Sequence, residues 1–237
     1  DLSDGLQMLH TNTSGSSRIA NTSGSGFNVE NGALFRYRGL LTLYSVDTGS
    51  IMYIDHDSGS GGRFENAGTL VKSGDGRVDF GSHGSLAFNQ SGSFAVNAGT
   101  VEFGGTSIAL GGSMAIADGA RVLVRAGSTT TASGFAVNGN GVLAVGGGTL
   151  VLGHGTTVAA DVELSSGTLS IGSANAAEVT GDLSWTGGTI NGGGTLTQRG
   201  RFLQTGNTTV YLRDGTLLDH VNASGDSRIA NTSASGF

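Results

Sequence analysis

The densest group of polar side chains in this sequence is YIDHDSG, residues 53–59. On a strand, Asp55 and Asp57 share one face and His56 points to the other, because successive side chains alternate. Two carboxylates one strand repeat apart have the chemistry to bind Ca²⁺ or to divide acid and base roles at a glycosidic bond. A solvated turn at a strand end accounts for the same residues without any chemistry. Calcium-binding β-rolls need GGxGxDxUx repeats, and none occurs; KSGDGRVDF sets a single Asp in a turn.

The remaining chemical residue types are dispersed. His10, His56, His83, His154 and His220 show no HxxxH or HxH spacing, which argues against a metal centre. Serine is abundant without a GxSxG elbow, and NGGGTL has no following Lys-Ser/Thr to make it a phosphate loop. Trp185, the one tryptophan, shares its parity with Leu183 and is read as core packing, not a sugar platform. Outer threonines lack the regular TxT array of an ice-ordering face, and the NTS triplets at 12–14, 21–23 and 231–233 are read as corner composition. No catalytic, cofactor-binding or metal-binding residue is assigned, no cofactor is expected, and the chain is not read as an enzyme.

Composition narrows the partners. A net charge of −6, with one Lys and no basic run, argues against nucleic acid, which needs clustered cations. The absence of cysteine removes disulfides and thiolate sites and fits an exported bacterial protein. No apolar run approaches a membrane span, and DLSDGLQMLH has neither the basic nor the apolar region of an export signal. The 44 glycines do not recur every third residue, so collagen is excluded, and regular β-branched residues argue against disorder.

From residue 64 the chain repeats one phrase: GTLVK, GRVDF, GSLAF, GSFAV, GTVEF, GSMAI, GTLVL, GTLSI. Large apolar residues fall third and usually fifth, with Ala or polar residues fourth, which is the period of a strand buried on one face. The inward set runs Val78/Phe80, Leu86/Phe88, Phe94/Val96, Val101/Phe103, Ile108/Leu110, Met114/Ile116, Val122/Val124, Phe135/Val137 and Leu143/Val145. It continues Leu150/Leu152, Val162/Leu164, Leu169/Ile171, Leu183/Trp185 and Val210/Leu212. Leu123, Val142 and Val151 fall on the outer parity, where they could touch a neighbour. No helical periodicity is present.

Phrase-opening glycines recur every seven or eight residues, and GTL/GTI returns at 148, 167 and 188. An antiparallel meander fits the short spacing, with Asn31-Gly32, Asp75-Gly76, Asp118-Gly119 and Asn138-Gly139 as turns. The longer period of about 20 favours a solenoid whose coils bury one face by stacking. The expected fold is all-β: a right-handed, three-sided parallel β-solenoid (β-helix) of about 20–22 residues per coil and about ten coils per unit. Corners would use Gly and positive-φ Asn66, Asn89, Asn97 and Asn138.

The last phrase, SGDSRIANTSASGF at 224–237, repeats SGSSRIANTSGSGF at 14–27. The match is gapless at an offset of 210 and identical at seventeen of 27 positions. We therefore read 1–210 as one tandem unit, with 1–63 less regular, 64–210 regular, and 211–237 the start of the next unit. Ile229 and Phe237 are expected to pack inward. The phrases RFENAGTLVKSGDG, FNQSGSFAVNAGTVEFGG and GDLSWTGGTINGGGTLT resemble the β-solenoid repeats of giant bacterial surface proteins: large adhesins, autotransporter passengers and filamentous-haemagglutinin-like proteins. The resemblance implies an extracellular rod that attaches a cell to a host, a partner cell or a polysaccharide surface. Its first partners would be neighbouring repeats of the same chain, stacked end to end. Lateral association into a filament or sheath is the alternative, and a carbohydrate-active β-helix enzyme a more distant one. That enzyme would need carboxylates and arginines clustered on one face, which only Arg36–Arg63 approaches in sequence.

Overall fold

The structure is a computed structural model that describes residues 7–11, 15–21, 26–55, 60–82, 85–105, 107–206, 208–222 and 225–231. Short strands follow one another around three sides of a prism, and every strand pairing in the stack is parallel. Antiparallel contact among the described residues is confined to isolated bridges such as Glu30 with Gly61. The fold is thus an all-β solenoid, and no helix is present among these residues.

The first side starts with Gln7–His10, Leu34–Tyr37 and Arg63–Asn66 and ends with Val210–Leu212. The second starts with Ser17–Asn21 and Leu40–Ser45 and ends with Leu217–His220, a single ten-stranded sheet. The third runs from Gly26–Asn28 and Ile51–Asp55 to Phe202–Gly206 and Arg228–Asn231. Among the described residues, ten rungs on each side make about nine turns. The first and third sides merge into one 18-stranded sheet because Val142–Leu152 and Asp161–Ile171 round the corner unbroken.

Coil length varies along the axis. In the early coils Leu34 stands over Gln7 and Arg63 over Leu34. In the later ones Thr168 stands over Thr149 and Thr189 over Thr168, a markedly shorter step. The extra length of the early coils is shared between their corners and longer strands such as Leu40–Ser45 and Ile51–Asp55.

Alternation sets the core. Every inward residue named above from Val78 to Trp185 is buried, and Leu123, Val142 and Val151 are half-buried on the outside. Leu212 keeps inward parity over Ile190 but is 49% exposed, because it stands on the last described coil. Ile229, inward over Gln204, is 61% exposed for the same reason, and Phe237 lies outside the described residues.

The corners work differently from the expectation for asparagine. Positive φ among described non-glycine residues belongs to Asn31, Ala174 and Asp214. Asn66 instead ends a strand and points inside, where its amide donates to Gln90 Oε1 at 2.9 Å and to the Ser93 carbonyl at 3.0 Å. Asn89 lies within a strand, Asn138 ends one, and Asn97 turns its corner without positive φ. Close approach is what demands glycine at the corner between the first and second sides. A Cβ on Gly92 would come 1.9 Å from the Gly68 carbonyl oxygen, and one on Gly112 2.0 Å from that of Gly92.

Candidate functional site

Asp55 ends the strand Ile51–Asp55 and is buried, with its carboxylate 3.5 Å from the Ser82 hydroxyl that donates to it. His56 and Asp57, the other members of the polar cluster, lie outside the described residues. The Arg36–Arg63 segment does form a cluster, on the outer face of the first side. Glu65 accepts from Arg36 Nε at 2.5 Å and pairs with Arg63 Nε at 2.7 Å.

A larger charged cluster occupies the outer face of the third side. Thr100–Phe103 stacks in register on Arg77–Phe80, which sets Glu102 directly over Asp79, and Asp79 over Tyr53. Arg125, just past the strand stacked above Thr100–Phe103, folds back over both carboxylates. Its Nε lies 3.2 Å from Glu102 Oε2 and its Nη2 3.5 Å from Asp79 Oδ2. Gly104 leaves room for this reach: a Cβ there would sit 2.7 Å from Arg125 Nη2. Arg77 closes the other side, with Nη1 3.1 Å from Glu102 Oε1. Tyr53, Arg77, Asp79, Ser82 and Arg125 border an open groove of about 190 Å³.

Burial pushes the Asp79 carboxyl up from its ordinary range; Arg125 opposes this, Glu102 reinforces it, and Arg77 and a hydrogen bond from Ser82 oppose it. Asp79 Oδ1 and Arg77 Nε are buried without a hydrogen-bond partner. A carboxyl raised in pKa beside a second carboxylate is the kind of pairing that acid–base cleavage of a glycoside uses. Here one guanidinium binds both carboxylates, so the cluster is first of all an ion network, with buried carboxylates and arginines that face the groove.

The single lysine is the other unexpected charge. Lys72 occupies the fifth place of GTLVK, points inward between Leu43 and Val96, and is fully buried. Its ammonium donates to the carbonyls of Ser73 at 3.3 Å, Gly74 at 2.6 Å and Ala98 at 2.9 Å. Burial pushes its pKa down to about 8, with nearby Asp75 opposing the shift. It acts as a cap on the corner between the second and third sides, where the turning backbone offers acceptors to the interior.

Other candidates disperse. Trp185 is buried against Phe202 with ring centroids 6.4 Å apart. His10 and His220 each bond a serine seven residues on, His154 is exposed, and His83 lies outside the described residues. Among the described residues no three metal-binding side chains converge, and no helix is long and apolar enough to cross a membrane.

The periodic phrases held a signal for the third-side cluster. Asp79 and Glu102 fill the fourth, outward place of GRVDF and GTVEF, phrases that lie one coil apart. Arg125 carried none, because its role depends on a side chain reaching back across two coils. No protein-family model, curated protein or solved structure matches the chain.

Proposed function

We propose that this chain is a length of an extracellular bacterial rod, built from tandem units that recur at an offset of 210 positions and used for surface attachment or cell–cell contact. The observation that carries this reading is the return of the 14–27 phrase at 224–237, on a solenoid whose stacking continues unbroken between the two copies. A fold in which each coil is the template for the next gains length with every repeat, and needs no new chemistry to do so. The outer surface is where such a rod meets a partner, and the groove at Tyr53, Arg77 and Arg125 is a charged patch on it. Protease shaving of intact source cells tests the reading. Release of peptides such as residues 64–77 from a polypeptide many times heavier than 23.6 kDa is expected. Recovery of a single-unit polypeptide from the cell interior would contradict it.

A carbohydrate-active reading draws on the Asp79–Glu102 pair alone. It requires that the chain depolymerise an acidic or neutral polysaccharide and that Asp79→Asn abolish this. A product ladder unchanged by that substitution rules the pair out as catalytic.

A further inference from the structure

We infer that successive units join with a one-third turn, so that the first side of each unit stands on the second side of the unit before it. The inference rests on the tandem-unit reading. In the sequence, Leu217–His220 holds the place of Gln7–His10, and Arg228–Asn231 that of Arg18–Asn21. In the fold the two copies sit on different sides. Gln7–His10 pairs with Leu34–Tyr37 on the first side, whereas Leu217–His220 pairs with Thr195–Gln198 on the second. Ser17–Asn21 is on the second side beneath Leu40–Ser45, and Arg228–Asn231 is on the third above Phe202–Gly206. Had every coil kept the spacing of GTL and GTI, the offset of 210 would hold about ten coils. The long early coils, Gln7 to Leu34 and Leu34 to Arg63, reduce the count to nine and one third.

The two copies keep the same local structure despite the change of side. His10 Nε2 and Ser17 Oγ are 2.7 Å apart, as are His220 Nε2 and Ser227 Oγ. Parity is also preserved: Met8 and Leu218 point inward, as do Ile19 and Ile229. Each copy displays one half of a complete joint. The first shows what lies above it, with His10 stacked on Tyr37 at 5.2 Å and Ile19 beneath Leu43. The second shows what lies below, with His220 against Phe202 at 5.8 Å and Ile229 above Gln204. Superposed, they place the joint histidine between Phe202 of one unit and Tyr37 of the next. They also cover the exposed Ile229 with Leu43. The occupant of this open, apolar coil edge is therefore the first side of the following unit, turned by one side.

The consequence is functional. A groove on the third side of one unit faces a different direction in the next, and three units restore the first orientation. The rod displays the Tyr53–Arg125 groove all round its axis, so a partner meets it from any approach and several units can bind at once.

The test uses a chain in which the 237-residue sequence is followed directly by its own residues 28–237. The chain has no native cysteine to interfere. Leu9 is paired with Arg36, so Asp219→Cys in the first unit and Arg36→Cys in the second should be stacked neighbours. At a strand spacing of about 4.8 Å they meet disulfide geometry. A joint of whole coils would instead bring the second Arg36→Cys over Arg213→Cys on the first side, in the column that runs from Arg36 through Glu65 and Ser170 to Asn191. All three substituted sites point outward, so folding is not at stake. Cross-linking at least about tenfold faster for the Asp219 pair is the expected result, consistent with adjacent rather than distant thiols. Faster closure of the Arg213 pair overturns the one-third turn. Closure of neither pair overturns it too, and particle length then separates the causes. A two-unit chain no longer than one unit means the tandem-rod reading itself has failed.

Discussion

The coils spanning residues 34–103 and those spanning 142–206 follow one plan and fill it differently. The earlier coils stack Phe35, Phe64, Phe80, Phe88, Phe94 and Phe103, with ring centroids 4.5 to 6.4 Å apart. They also hold the buried Asn66–Gln90 pair, Lys72 and the Asp79–Glu102 network. The later coils are filled by Leu143, Val145, Leu150, Val162, Leu164 and Leu169, and their rings are Trp185 and Phe202. Coil length falls with the change of filling: the step from Leu34 to Arg63 is far longer than that from Thr149 to Thr168. In a parallel stack the strands must keep register with their neighbours, so variation is pushed to the corners and to the outer face. The aliphatic half is the minimal repeat; the aromatic half carries the additions, and with them the groove and the buried charges on which function can rest.

The largest effects should come from corner glycines, whose close approach is common to both halves: a Cβ on Gly200 would come 2.1 Å from the Gly181 carbonyl oxygen, much as in the early coils. Gly92→Ala forces the Gly68 carbonyl aside and should cost more than about 4 kcal/mol, a backbone clash rather than a packing loss. Gly172→Ala meets only the Asn175 side-chain amide, 3.3 Å away, and should cost less than about 1 kcal/mol. Equal shifts in thermal midpoint for Gly92→Ala and Gly172→Ala would break the claim that close backbone approach is what demands glycine at the corners. Next are the core columns: Phe88→Ala should cost about 4 kcal/mol and Leu150→Ala about 3 kcal/mol by denaturant titration. The reverse order would mean that the aromatic ladder packs loosely.

Lys72 gives the early coils a pH dependence in the alkaline range. Its pKa is lowered in the fold from 10.5 to about 8, so between those values the unfolded chain binds more protons. Stability linked to this group is therefore lowest below pH 8 and rises as pH climbs to 10.5. The full gain is about 3 kcal/mol. Lys72→Met should abolish this rise, and urea titrations of both proteins from below the lowered pKa to the ordinary one would show it. A constant difference between them would contradict the buried ammonium. A small effect of opposite sign is expected at the junction of the halves. Thr129 is buried in the column between Ile108 and Leu150, with its hydroxyl unpartnered. Thr129→Val should stabilise by about 1 kcal/mol.

Legibility from sequence follows the same divide. Period-two alternation exposed the inward set because every coil buries one parity, and the return of GTL and GTI at 148, 167 and 188 revealed the stacking. The early coils were less readable because Asn66, Gln90 and Lys72 use inward places for polar groups that find partners only across coils. The third-side cluster needed coil lengths before Asp79, Glu102 and Arg125 could be seen as neighbours. Asp55 was singled out on local composition, and its contact with Ser82 comes from the coil above.

The most direct test of the tandem-rod account is the length of single particles by electron microscopy, comparing the 237-residue chain with the two-unit chain. An added nine and one third coils at about 4.8 Å each should lengthen the rod by about 45 Å with no change in width. Particles of unchanged length and doubled width would show that units pack side by side, and would contradict it.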